Sequence, residues 1–233
     1  MEIQEKLRYG KLIKRYKRFL ADIEFEDGQL ETIHCPNSGR MTSCADPGFR
    51  VCASLSNNPK RKLKSTFEYS HNGKSWIGVN THRANAIVED GILSGAVVEL
   101  QGYDSLKREV KYGQNSRIDL LLEKESQRCF VEVKNVTLQL GEGIVAFPDA
   151  KTERGLKHLT ELCSMVEQGE RAVLFFLVHR EDALRFVPAR EIDPLYAQEL
   201  ERVHSLGVEV LVYDTRIDPP QVHVRNKLPW SMS

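Results

Sequence analysis

Along the first eighty residues, apolar and polar positions alternate in short runs: Lys11–Tyr16, Phe19–Phe25, Leu30–His34, Val51–Ser56, Thr66–Tyr69 and Ile77–Asn80. A period of two marks a half-buried strand, because successive side chains leave a strand on opposite faces. Between the runs stand Asp27-Gly28, Pro36-Asn37-Ser38-Gly39, Asp46-Pro47-Gly48 and Asn57-Asn58-Pro59. These residue types bend the chain, through glycine's positive φ, proline's fixed φ and the side-chain hydrogen bonds of Asn and Asp. Five or six short strands without a helical stretch predict a small barrel, and the five-stranded OB type is the natural choice.

After Thr81 the period changes. Ala84, Ile87, Val88 and Ile92 recur at helical spacing over Arg83–Leu93. Val97–Leu100, Val110–Tyr112, Ile118–Leu122 and Cys129–Lys134 then read as strands. A helix follows over Lys151–Glu167, with Leu156, Leu159, Leu162, Met165 and Val166 on one side. Ala172–Val178 is a continuous apolar run, suited to a central strand covered on both faces. A helix near Pro194–Leu206 leads to a strand at Val208–Tyr213. Helices alternating with strands at these lengths predict an α/β domain with a parallel component. The division falls at residues 1–81 and 82–233.

A chain of 233 residues has room for both. Hydrophobic residues at 41% and charged residues at 28% exclude disorder as the main theme. No apolar run approaches the roughly 20 residues that cross a bilayer, and the start has no apolar leader segment. Five cysteines without a C-x-x-C pair argue against zinc and against a disulfide framework. A cytoplasmic protein with no membrane association is expected.

The zero formal net charge hides a split. Residues 1–84 carry 15 Lys and Arg against 9 Asp and Glu, and the remainder carries the opposite surplus. The basic residues are bunched: Lys11, Lys14, Arg15, Lys17 and Arg18 in one cluster, Lys60, Arg61, Lys62 and Lys64 in another. Tyr9, Tyr16 and Phe19 surround the first, while Phe67 and Tyr69 follow the second. A basic run is ordinarily a solvated face. Two such runs interleaved with aromatic rings are what single-stranded nucleic-acid binders use, cations for phosphates and rings for bases. Asn37, Ser38, Gly39 and Arg40 form a polar turn that suits phosphate or simply turns the chain.

The most informative stretch is Ser116-Arg-Ile-Asp-Leu-Leu-Leu122, six polar residues, then Cys129-Phe-Val-Glu-Val-Lys-Asn135. It reads as a β-hairpin. A symmetric closure sets Leu122 opposite Cys129 and Asp119 opposite Glu132, with Cβ atoms about 5 Å apart. Lys134 joins the same face by alternation. Two carboxylates this close, in strands otherwise made of Leu, Val and Phe, repel each other and lose hydration. A divalent cation relieves both costs, and Mg²⁺ characteristically takes one or two protein carboxylates and fills its other positions with water and phosphate oxygens. Asp, Glu and Lys in this array suit metal-assisted phosphodiester hydrolysis. The bland alternative is a surface hairpin in which Lys134 merely pairs with Glu132.

Asp119 followed by Glu132-Val133-Lys134 resembles the PD-(D/E)-x-K nuclease motif. The longer set Cys35-Pro-Asn-Ser-Gly-Arg-Met41, Gly78-Val-Asn-Thr81, Ser116-Arg-Ile-Asp119, Glu132-Val-Lys-Asn-Val-Thr137 and Phe147-Pro-Asp-Ala150, with Thr152, Arg154-Gly155 and Lys157-His-Leu159, resembles the sugar fermentation stimulation protein A (SfsA) family. That resemblance implies an OB-like N-terminal β-barrel, then an α/β restriction-endonuclease-like domain with a mixed central sheet. It also implies non-specific DNA binding and a regulatory role in maltose metabolism. Ile118 stands where the nuclease motif has its proline, which supplies no ligand.

The expected catalytic set is thus Asp119, Glu132 and Lys134. Such domains draw a further acid from the first helix, where Glu89 stands with Asp90 as its competitor. Val133 is counted with Asp119 and Glu132 in the set for Mg²⁺ or Mn²⁺. Gly141–Asp149 reads as a Gly- and Pro-punctuated loop that delivers Thr152, Arg154, Lys157 and His158 to a helix start suited to phosphate. The expected DNA contacts are these four with Lys14, Arg15, Arg18, Arg40, Lys60, Arg61, Lys62 and Lys64. A metal-dependent nuclease and a catalytically silent DNA-binding module on the same fold both fit, and the oligomeric state, a homodimer included, stays open. A small-molecule sugar enzyme finds no phosphate loop, no G-x-G-x-x-G and no G-x-S-x-G.

Overall fold

The computed structural model describes residues 1–112 and 116–232. Six strands come first: β1 (Lys6–Tyr16), β2 (Leu20–Phe25), β3 (Leu30–His34), β4 (Arg50–Leu55), β5 (Ser65–His71) and β6 (Trp76–Gly78). They line up in the order β3-β2-β1-β4-β5-β6, and β3 returns to pair with β5 at His34–Thr66. That one-pair return curls the sheet into a barrel, and the end strand β6 is covered by its bridge from Ile77 to Arg180. The inward-facing Leu12, Ile23, Ile33, Val51, Phe67 and Ile77 fill it and are fully buried. β1 starts earlier than its sequence pattern, because its ladder with β4 is continuous from Lys6–Leu55 to Lys11–Arg50 whatever the side chains.

Asn80 caps a short 3₁₀ turn at Thr81–Arg83 by accepting from the His82 N–H. The chain then enters α1 (Ala84–Leu93). Val97–Leu100, expected as a strand, instead holds a 3₁₀ turn at Val98–Leu100. The tight turn sets positions three apart on one side, and Val97 and Leu100 both enter the core beside α1. Next come β7 (Ser105–Tyr112), β8 (Ser116–Lys124), β9 (Gln127–Val136), β10 (Leu138–Gly141), β11 (Ile144–Phe147), α2 (Glu153–Glu167), β12 (Arg171–Val178), β13 (Arg185–Pro188), α3 (Pro194–Ser205), β14 (Glu209–Asp218) and β15 (Gln221–Lys227). The central sheet has the order β15-β14-β12-β9-β8-β7, with β9, β12 and β14 parallel and both flanks antiparallel.

β12 shows why this sheet needs helices on both sides. Its Val173, Phe175 and Leu177 pack with Ile87 and Val88 of α1, while Leu174, Phe176 and Val178 pack with Leu159 and Leu162 of α2 and with Leu200 of α3. Each such fully buried side chain contributes about 1.5–3 kcal/mol. The stretch expected as an irregular loop, Gly141–Asp149, carries β11, which pairs in parallel with β13.

The two domains are locked together. The Gly78 N–H donates to the His179 carbonyl at 2.7 Å, and a Cβ at Gly78 would lie 2.0 Å from the His179 ring. Arg180, fully buried, donates to the Ser43 hydroxyl at 3.5 Å, and its partner Asp182 accepts from Asn72 Nδ2 of the barrel at 3.0 Å. All five cysteines are buried and unpaired by disulfides.

Candidate active site between the two domains

The β8–β9 hairpin has the expected register, from Leu120–Val131 to Lys124–Gln127. The ladder stops there, so the expected pairing of Asp119 with Glu132 is not formed. On the other side, β7 pairs Arg108 with Leu120 and Val110 with Ile118, skipping Glu109 and Asp119 as well. Asp119 thus sits where the sheet opens. Its Oδ2 accepts the Val133 backbone N–H at 2.8 Å, and its Oδ1 accepts from Asn85 Nδ2 on α1 at 2.8 Å. Burial and the nearby Glu132 push its carboxyl up to about 6.

Glu132 projects towards α2 and is 2% exposed. Its Oε1 accepts from Lys134 Nζ at 2.7 Å and contacts His158 Nδ1. Arg154 Nε donates to His158 Nε2 at 3.3 Å. An Nε2 that accepts from Arg154 places the proton on Nδ1, facing Glu132, while Lys134 Nζ lies 3.1 Å from the same nitrogen. Burial opposes the charge of Glu132, but the His158 hydrogen bond and Lys134 outweigh it and hold the carboxyl below its ordinary range. The second oxygen, Oε2, is buried and has no hydrogen-bond partner.

Above these groups lies a cleft of about 780 Å³ whose walls come from both domains. One wall is the barrel's Arg18 and Asn37–Gly39, the other the segment from Phe147 to Thr152. The walls touch where Met41 N–H donates to Asp149 Oδ2 at 3.1 Å. Gly39 permits that approach, since a Cβ there would lie 2.3 Å from the same oxygen. Arg15 ties the barrel wall together, its guanidinium donating to the carbonyls of Arg18, Asn37, Gly39 and Arg40.

Asp119, Glu132, Val133, Lys134, Thr152, Arg154, His158 and Arg18 therefore line one cleft. Glu89 does not join them; it pairs with Arg108 at 3.4 Å, and Asp90 pairs with the N-terminus. Asn85, one turn before Glu89, is the α1 side chain that reaches Asp119. Two further acids line the cleft: Asp149, taken up by the Met41 N–H, and Glu109, whose Oε1 accepts from the same Asn85 amide at 3.1 Å. Its φ of +54° is a sparsely populated conformation for glutamate. The skipped β7–β8 pair brings it in, and only the register of that hairpin foretells it.

The other expected DNA contacts divide. Arg40 and Arg15 line a recess adjoining the cleft, and Arg61 lines another. Arg15 is spent on carbonyls rather than free for phosphate. His158 and Thr152 are likewise engaged, the first with Glu132 and the second capping α2 by accepting the Gly155 N–H. Lys14 pairs with Asp22, Lys157 pairs with Glu161, and Lys64 clips its own loop at the carbonyls of Asn58 and Pro59. Lys60 and Lys62 are exposed and line none of these recesses.

No trio of His, Cys, Asp and Glu stands in metal-holding geometry among the described residues. The donors present suit a cation that needs few protein ligands: two carboxylates at the floor of a polar cleft, one with a buried oxygen that nothing satisfies.

Residues 82–221 match the model of the sugar fermentation stimulation protein RE domain, and residues 13–79 match that of the SfsA N-terminal OB domain. A sugar fermentation stimulation protein homolog of Pelobacter propionicus is 51% identical over 94% of this chain and 95% of its own. That of Maricaulis maris is 48% identical over the whole of both chains. A solved structure described as Pyrococcus furiosus SfsA in complex with Ca²⁺ superposes with a TM-score of 0.90 at 24% identity, covering 100% of this chain and 98% of the other. The chain belongs to the SfsA family, with an OB domain followed by a domain built on a mixed central sheet. No helix among the described residues is long and apolar enough to cross a membrane.

Proposed function

We propose that this protein binds DNA and hydrolyses its phosphodiester bonds at the Asp119–Glu132–Lys134 site with a divalent cation, Mg²⁺ or Mn²⁺. The observation that carries this reading is the unpartnered Oε2 of Glu132. A buried carboxylate oxygen without a donor costs several kcal/mol in a protein interior unless something else supplies positive charge. Asp119, held close to Glu132 and tied to Asn85 and Val133, gives the second anionic donor. The Pyrococcus furiosus protein is described with Ca²⁺, another hard cation that takes oxygen ligands.

A divalent ion held by Asp119 and Glu132 would supply Lewis-acid polarisation of a phosphate oxygen and would lower the pKa of water. The chain's own residues do the rest. His158 and Lys134 occupy Oε1 of Glu132, which leaves Oε2 as its free donor. Asn85 fixes the rotation of the Asp119 carboxyl. Lys134 lines the cleft, where its ammonium faces the developing negative charge of the phosphoryl group and orients the attacking water. Arg18 and Arg154, on opposite walls, supply charge for flanking phosphates.

The test is incubation of the purified protein with labelled DNA in Mg²⁺ or Mn²⁺, beside EDTA and Asp119→Ala controls. The expected result is metal-dependent cutting that the variant loses while it retains DNA binding. Binding without cutting on every substrate would leave a DNA-binding module on this fold and overturn the hydrolytic role.

A further inference from the structure

Most arginines of this chain end on a carboxylate, as Arg8 does on Glu31 and Arg171 on Glu209. Among the described residues Arg18, Arg40, Arg61 and Arg154 do not, and all four line one connected set of recesses, whereas Arg117, Arg185 and Arg216, likewise without a carboxylate, lie outside it. The central cleft shares His82 with a recess lined by His34, Arg61 and Arg83, the last of which is taken up by the recess's own acids, Glu5 and Glu68. It also shares Arg18, Ser38, Gly39, Ala150 and Lys151 with a recess lined by Arg40 and by one acid, Glu191. Cations without acidic partners therefore stand in both recesses that adjoin the cleft of the Asp119–Glu132 site. Surface cations left unpaired along a groove suit a polyanion, with one charge per repeat of its backbone.

The shape of the cleft selects among polyanions. Glu132, on the floor, is almost completely buried, and the two walls are in contact at Gly39, Met41 and Asp149. A DNA duplex is stiff, with a persistence length of about 50 nm, and carries its phosphates on the outside of a two-stranded rod. A rod of that stiffness does not reach a carboxylate as deeply buried as Glu132 at the foot of the cleft. A single strand turns at every nucleotide and can reach it. Phe19, half exposed next to Arg18 on the β1–β2 turn, and the exposed ring of His82 in the Arg61 recess offer surfaces on which unpaired bases stack. The Arg15 guanidinium, which welds that turn to Gly39 and Arg40, holds the barrel side of the path rigid before anything binds.

We infer that the substrate is single-stranded DNA, threaded from the Arg61–His82 recess across the carboxylate site to the Arg18–Arg40–Lys151 recess, with the OB barrel forming one wall of the active site. This rests on the proposed phosphodiester chemistry for its middle section only; the two ends are argued from charge and shape.

The experiment uses the full chain with 5′-labelled 12-nucleotide single-stranded DNA and a blunt hairpin duplex of the same sequence. Fluorescence anisotropy in Ca²⁺ measures binding, and gel assays in Mg²⁺ or Mn²⁺ measure cutting. The strand is expected to bind at least tenfold more tightly than the duplex. Arg61→Ala and Arg40→Ala, at opposite ends, are each expected to weaken it about three- to tenfold, with a shallower salt dependence. Tb³⁺ luminescence should report the same metal affinity in both variants. Arg216→Ala, an exposed arginine on β14 away from the path, should leave strand binding unchanged. Equal or tighter binding of the duplex, or variants at either end without effect, would overturn the strand assignment even if cutting were seen. Tight strand binding weakened at both ends, without cutting, would support the strand path while overturning the hydrolytic role.

Discussion

Each domain buries one glutamate in a strand, and the two differ in a single respect. Glu68 of β5, 1% exposed, has both oxygens satisfied: Oε1 by Ser54 at 2.6 Å and Arg83 at 3.0 Å, Oε2 by Asn80 at 2.8 Å and again by Arg83. Glu132 of β9 has one oxygen held by Lys134 and His158 and the other by nothing. Glu68 also joins the barrel to the first turn of the second domain, since Arg83 and Asn80 come from the junction. One carboxylate is closed by its protein and serves the fold. The other keeps a buried oxygen without a partner at the floor of the cleft, which is the place the proposed cation would fill.

The largest effects come from removing the charge from each. Glu132→Gln is expected to lower cutting by about a thousandfold or more, several kcal/mol of transition-state stabilisation at 1.36 kcal/mol per factor of ten. Its metal-free melting temperature should fall less than that of Glu68→Gln, because the loss of the Lys134 pair is offset in part by relief of the repulsion with Asp119. Glu68→Gln leaves the half-buried Arg83 without its main partner and is expected to cost about 3–5 kcal/mol of stability. Denaturant unfolding and cutting assays on the two variants check the contrast, and a Glu132→Gln protein as unstable as Glu68→Gln would erase it.

Asp119→Asn sharpens the comparison through pH. The unfolded chain releases this proton near 3.8 and the folded chain at about 6. Between those values the native state holds more protons, so stability falls as pH rises and the full cost is present above about 6. Asparagine keeps an acceptor for Val133 without the charge. The metal-free variant should therefore be more stable than the parent at pH 8, by about 3 kcal/mol at most, with the gap closing towards pH 4. Added Mg²⁺ should raise the melting temperature of the parent and not of the variant. A gap that does not change with pH would remove Asp119 from the set of charges stored at this site.

What was legible in the chain follows the same line between closed and open groups. The β8–β9 register could be read because Leu122 and Cys129 flank a polar turn and the apolar runs on either side are equal in length. Lys134 followed from alternation alone. The barrel was visible as short runs between turns. By contrast, β10, β11 and β13 are brief and hidden among Gly and Pro, so Gly141–Asp149 reads as a loop until β13 arrives to pair with it. Arg15, a cation in a basic run, looks like a phosphate contact; only tertiary structure shows it bound to four carbonyls. Glu89 lay on the right helix and the wrong turn of it, because a sequence pattern does not fix how α1 is rotated against the sheet.

His158→Ala tests a smaller effect. The imidazole holds Glu132 Oε1 and is itself held by Arg154, so its role is to position the carboxylate. Loss of such a partner typically costs about 10–100-fold in metal affinity. Tb³⁺ luminescence or Mn²⁺ titration should show that loss, and His158→Asn, whose amide also donates, should restore part of it. Unchanged affinity in His158→Ala would mean that Lys134 alone positions Glu132.

The smallest expected effect concerns Glu109, the acid that the structure supplies in place of Glu89. It is exposed, and it reaches the site only through the Asn85 amide that it shares with Asp119. An exposed charge near a bound cation is worth about 1 kcal/mol or less, so Glu109→Ala should weaken metal binding no more than about fivefold. Its φ of +54° adds a second reading. Glu109→Gly removes the carboxylate together with the backbone cost of about 1 kcal/mol or more for a non-glycine residue in that region. The glycine variant should therefore be more stable than the alanine variant while binding metal equally weakly. If Glu109→Ala instead lost metal as completely as Glu132→Gln, the open site would hold three carboxylates rather than two. The strained residue would then owe its conformation to the ion it helps to bind.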